Sequence, residues 1–227
     1  MMRIPLLIYL LFPVLPIAAQ PPQYLFFEPV FGGKSLVLGQ YYPLKNGDSL
    51  QVETFRFYIS NLRLLYHGQP VFIHPRTHLL IDSSDPNSLA VGYNLPDGIH
   101  ADALAFELGV DSLTQSKGAQ GGDLDPLNGM YWSWQSGYIS AKIEGKASYC
   151  PAKGQLFQLH LGGYRAPWNT LLPLTFNLKD PDSAHIRIAL DIFFTYANLQ
   201  QTYAVMRPGA EAVSLVQQLG SSFGIKP

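Results

Sequence analysis

The residues best suited to chemistry lie between Gly118 and Tyr138, GAQGGDLDPLNGMYWSWQSGY, where aspartates and paired tryptophans share one glycine-rich stretch. Trp132 and Trp134 are two apart. On a strand, both indoles and Met130 would face one side while Tyr131 and Ser133 face the other. Two adjacent indoles suit a redox or binding site, and they equally suit a core, because each ring buries a large apolar area. Asp123 and Asp125, with Asp111 upstream, offer the oxygen donors that calcium takes. Aspartate among Gly, Pro and Asn also makes Asx-turns, and no EF-hand loop is present.

Six histidines complete the set of nitrogen donors: His67, His74, His78, His100, His160 and His185. His74 and His78 have the spacing of a helical metal pair, but Pro75 and the strand-like VFIH and HLLID runs deny them a helix. His160 sits in FQLHLGG, where alternation turns it away from Phe157, Leu159 and Leu161 while Gly162-Gly163 leaves room beside it. That placement suits a pocket-facing ligand or an ordinary hydrogen-bonded imidazole. Cys150 is the only cysteine, so no intrachain disulfide forms, and it reads as a buried small hydrophobe or as one corner of a blue-copper site. Catalytic signatures fail: the phosphate-loop glycine that should precede Gly33-Lys34-Ser35 falls on Glu28, and neither H-E-x-x-H nor G-x-S-x-G occurs. No catalytic residue is assigned.

The elements that must position these residues are short β-like runs between turns. YLFFEPVF, SLVLGQYY, FRFYISNLRLLY, HLLID, ALAFELGV, GYISAKIEG, FQLHLGG, LPLTFNL and HIRIALDIFF alternate or run apolar. They predict an all-β fold, an antiparallel β-sandwich of roughly ten strands. AEAVSLVQQLG, opened by Pro208-Gly209 and closed by Gly220, predicts one short C-terminal helix. Residues 1–19, MMRIPLLIYLLFPVLPIAA, have the charged start, apolar run and small-residue end of a secretory signal, leaving residues 20–227 as a single domain. The apolar run is too short and proline-broken for a stable membrane span, and no cysteine stands near the expected cut after Ala19 to carry lipid. A periplasmic or secreted location follows. With net charge -1 and only 14% charged residues, the chain has no basic field to attract nucleic acid.

FRFYISNLRLL, HLLID, GVDSLTQSKGAQGGDLDPLNGMYWSWQSGY and FQLHLGG, in that order, resemble the MbnP-like family of bacterial periplasmic proteins. The Asp-Pro-x-Asn-Gly-Met-aromatic-Trp-Ser-Trp run is the most specific part of the match. The resemblance implies a secreted β-sandwich, copper as cofactor, and oxidation of a tryptophan of the W-x-W pair to kynurenine by a MauG-like dihaem peroxidase partner. Carried onto this sequence, it makes Trp132 the first choice for oxidation and Trp134 the second, with His160 and His78 as copper ligands beside the modified ring. The alternative is a non-catalytic secreted binding or adhesion module without copper, presenting Tyr131, Tyr138, Tyr164 and Trp168 as an aromatic platform.

Overall fold

Aromatic and β-branched runs punctuated by turn residues give fifteen strands and three short helices among residues 22–96, 98–133, 137–179 and 183–226, which the computed structural model describes. The signal sequence expected at residues 1–19, and Trp134, lie outside the described residues. In chain order the first strands are β1 (Gln23–Phe31), β2 (Lys34–Ser35), β3 (Tyr41–Pro43), β4 (Ser49–Tyr66), β5 (Gln69–Ile73), β6 (His78–Asp82), β7 (Ala90–Tyr93) and β8 (Ala103–Leu108). Helix α1 (Ser112–Ser116) is followed by β9 (Tyr131–Trp132), β10 (Gly137–Ala147), β11 (Leu156–Gly162), β12 (Leu172–Asn177) and β13 (Ser183–Ala189). The chain closes through α2 (Leu190–Tyr196), β14 (Ala204–Val205), α3 (Ala210–Gly220) and β15 (Phe223–Ile225).

The strands form two sheets in a sandwich-like all-β arrangement. The smaller runs β15-β13-β1-β2 with β7 on β1, and the larger runs β12-β8-β4-β10-β11-β14 with β3, β5 and β6 on β4 and β9 on β10. β4 is the spine of the larger sheet, eighteen residues long. Its alternation sends Phe55, Phe57 and Ile59 into the space between the sheets, where they meet Leu25 and Phe27 of β1 and Ile186 and Ile188 of β13. Such burial of apolar rings and branched chains is the main driving force for closing the sandwich.

Two expectations need correction. The sheets are mixed rather than antiparallel, because β1 pairs with β13 and β11 with β14 in parallel. Hydrophobic alternation fixes which face a residue takes but says nothing about strand direction, and no hairpin ties β1 to β13. Second, HIRIALDIFF is not one strand. β13 stops at Ala189, and α2 buries Leu190, Phe193 and Phe194 while Ile192 is 45% exposed. Leu190 and Phe194 fit either period; the pair Ile192 and Phe193 decides for the helical one. The C-terminal helix stands where the sequence places it, with Ala212, Leu215, Val216 and Leu219 buried.

A second, smaller apolar cluster lies apart from the main core. Tyr58, Val110, Leu124, Met130, Trp132, Tyr138 and Ile139 are buried together. Tyr58 alternates with Phe57 and Ile59 and so stands on the outer face of the larger sheet, where residues 109–131 fold back to cover it.

Candidate functional site

On β11 the inward residues are Phe157, Leu159 and Leu161, leaving Gln158, His160 and Gly162 on the outer face. Gly162 is occupied ground. A Cβ there would stand 2.9 Å from Cζ3 of Trp132 and 2.8 Å from the carbonyl oxygen of Tyr138, so the six-membered ring of the indole lies directly on the glycine. The room that Gly162 leaves is the seat of Trp132, one outward position along from His160.

The covering segment is held by named contacts. Asp111 accepts from the Thr114 backbone N–H and so caps α1, and Gln115 Oε1 accepts from the Tyr138 backbone N–H at 2.7 Å. Tyr58 donates to the Asp123 carbonyl at 2.9 Å and Tyr138 to the Leu124 carbonyl at 2.9 Å. Burial pushes both phenols above their ordinary range, which keeps them protonated donors. Arg56 Nη1 donates to the Asn128 carbonyl at 3.0 Å and Lys142 Nζ to that of Gly129 at 3.4 Å. These cations satisfy carbonyls at the end of the 3-10 turn Pro126–Asn128, just before Met130 and Trp132.

His160 is 6% exposed and its Nε2 lies 2.7 Å from Glu144 Oε1. That hydrogen bond, helped by the charge of Lys142, holds the Glu144 carboxyl at about 2, against an ordinary 4.5, even though burial works the other way. The other ring nitrogen, Nδ1, is buried with no hydrogen-bond partner among the described residues. A buried imidazole with one nitrogen anchored to a carboxylate and the other left bare has the form of a histidine ready to ligate.

His78 does not join it. Its Nε2 bonds Asp111 Oδ2 at 3.0 Å and its Nδ1 lies 3.0 Å from Thr77 Oγ1. The register runs Asp82, Arg56, Lys142, His160 across β6, β4, β10 and β11. His78 is therefore three strand spacings, about 14 Å, and four residues, about 13 Å, from His160. The expectation that these two histidines share one metal is corrected by that register. Asp123 and Asp125, weighed for calcium, hold the covering segment: Asp123 Oδ2 accepts from the Leu80 backbone N–H at 3.0 Å and pairs with Arg76, while Asp125 accepts from the Leu127 N–H. Among the described residues, no three of His, Cys, Asp and Glu gather as a metal would need.

Cys150 packs in the main core with its thiol toward the Leu156 carbonyl, far from a blue-copper arrangement. The aromatic platform also breaks up, since Tyr138 is fully buried while Trp168 is 42% exposed. Glu144 escaped the sequence reading because it belongs to no motif. The signal was the alternation of GYISAKIEG, which puts Lys142 and Glu144 on one face of β10, the outer face that His160 shares.

A family model described as MbnP matches residues 21–207. The chain belongs to the MbnP family. Among solved structures, MbnP from Methylosinus trichosporium aligns with 84% of this MbnP-family chain and 81% of its own at 16% identity, with a TM-score of 0.57. At that identity the likeness is one of fold. No curated protein matches the chain. The family match ends before α3, which buries Ala212, Leu215, Val216 and Leu219 in the main core, and before β15, which pairs with β13 at the edge of the smaller sheet.

Proposed function

We propose that this MbnP-family protein binds copper at a site built from His160 and Trp132, with Trp132 first converted to kynurenine by a MauG-like dihaem peroxidase. The observation that carries the reading is the bare, buried Nδ1 of His160 on the face of β11 that also seats the Trp132 ring. An intact indole offers an N–H and no free lone pair, whereas the ring-opened product carries an aryl amine and a ketone. Imidazole and amine nitrogen suit copper. Among the described residues no three of His, Cys, Asp and Glu gather, and ring opening would add a nitrogen donor that the indole lacks. The oxidation cleaves the indole C2–C3 bond and adds two oxygen atoms, drawn from two equivalents of hydrogen peroxide that the dihaem partner activates and reduces to water; hydrolysis of the resulting N-formyl group then releases C2 as formate and frees the aryl amine. A signal sequence at residues 1–19 would deliver the chain to the periplasm, where such a partner works. Trp134 is the second choice for modification.

The competing reading is a secreted binding module without copper, and the 1% exposure of Trp132 favours it, since so buried a ring can be purely structural. Peptide mapping of protein from its native host separates the two. A ring-opened residue at 132 is the expected result; intact indoles at both 132 and 134 in copper-replete cells would overturn it.

A further inference from the structure

We infer that Glu144 is a positioning residue that fixes the tautomer of His160 and thereby makes Nδ1, not Nε2, the coordinating atom. The inference rests on the copper reading for its consequence but not for its premise, which concerns the metal-free protein. Glu144 Oε1 lies 2.7 Å from His160 Nε2, and as an ordinary carboxylate at neutral pH it can only accept. Nε2 must therefore carry the proton. A proton on Nδ1 would be a buried donor with nothing among the described residues to accept it, which is unfavourable. The geometry therefore gives Nε2 to Glu144 and leaves Nδ1 as the nitrogen open to a ligand.

The carboxylate is itself held in place. Gln158 Nε2 approaches Oε1 at 3.5 Å and Lys142 Nζ at 3.7 Å. Lys142 also reaches the Gly129 carbonyl at 3.4 Å, ahead of Met130 and Trp132. One chain of polar contacts thus runs from the imidazole through Glu144 and Lys142 to the segment that delivers the tryptophan. It ties the orientation of the two donors together.

Nitrogen NMR of the His160 ring in metal-free recombinant protein reads the premise directly. A protonated Nε2 and a bare Nδ1 are expected; a proton on Nδ1 would overturn the inference. Copper titration of host-matured protein then reads the consequence. Glu144→Ala should weaken copper binding about 10–100-fold, and Glu144→Gln, which keeps the volume and an acceptor but not the charge, should fall between it and wild type. Unchanged affinity in both variants, each shown folded by its circular dichroism, would contradict the positioning role. If wild-type protein took up no copper while the tautomer was as stated, the functional reading would fall and the role of Glu144 in the metal-free ring would stand.

Discussion

At the scale of single residues, the pair Glu144 and His160 couples a carboxylate to stability as well as to the site. The folded-state value for Glu144, about 2, lies below the ordinary 4.5. A group with a depressed value contributes stability that is fully present above 4.5 and is lost as pH falls toward 2. Glu144→Gln should therefore be less stable than wild type at neutral pH, with the gap narrowing through that window in denaturant unfolding. A gap that stays constant from pH 7 to pH 3 would mean the carboxylate gains nothing from the imidazole. His160 was legible in the sequence because FQLHLGG states its own alternation. Glu144 was not, because its role appears only once β10 and β11 are paired in register.

At the scale of elements, the covering segment 109–131 decides how the tryptophan sits, and two substitutions probe it. Asp123 pairs with Arg76 and accepts from the Leu80 N–H on the open edge of β6, so it fastens the segment while blocking an edge that could otherwise pair with another chain. Asp123→Ala should leave that N–H without its acceptor and cost about 1–3 kcal/mol. Faster limited proteolysis within residues 118–123 is the expected sign; unchanged proteolysis and stability would mean the segment is held elsewhere. Gly162→Ala tests the seat of the indole. Its Cβ would meet both the Tyr138 carbonyl and the Trp132 ring under 3.0 Å, so overpacking should cost about 1–3 kcal/mol. Altered tryptophan fluorescence should accompany the loss, and a variant as stable as wild type would place the ring somewhere other than on Gly162. The apolar strand runs were readable from period alone, whereas the switch from β13 to α2 was not, since Leu190 and Phe194 satisfy both periods.

At the scale of the molecule, two apolar clusters on opposite faces of one sheet divide the work. The larger holds the sandwich together, and the smaller seats Trp132, the ring on which the proposed site depends. An all-β sandwich was legible from many short alternating runs, but parallel pairing was not, because it joins segments as remote as Gln23–Phe31 and Ser183–Ala189. No helix among the described residues is long and apolar enough to cross a membrane. With one cysteine in the whole chain, buried in the main core, the fold relies on packing alone. Thermal unfolding should therefore be the same with and without reductant, and a reductant-sensitive midpoint would reveal an intermolecular disulfide.

In the proposed function, copper is held by His160 together with the oxidised ring of Trp132. Copper titration of protein matured in its native host, comparing wild type with His160→Ala and His78→Ala, tests it most directly. Loss of tight binding in His160→Ala, with His78→Ala close to wild type, is the expected result. Retained binding in His160→Ala, or an equal loss in His78→Ala, would contradict the account.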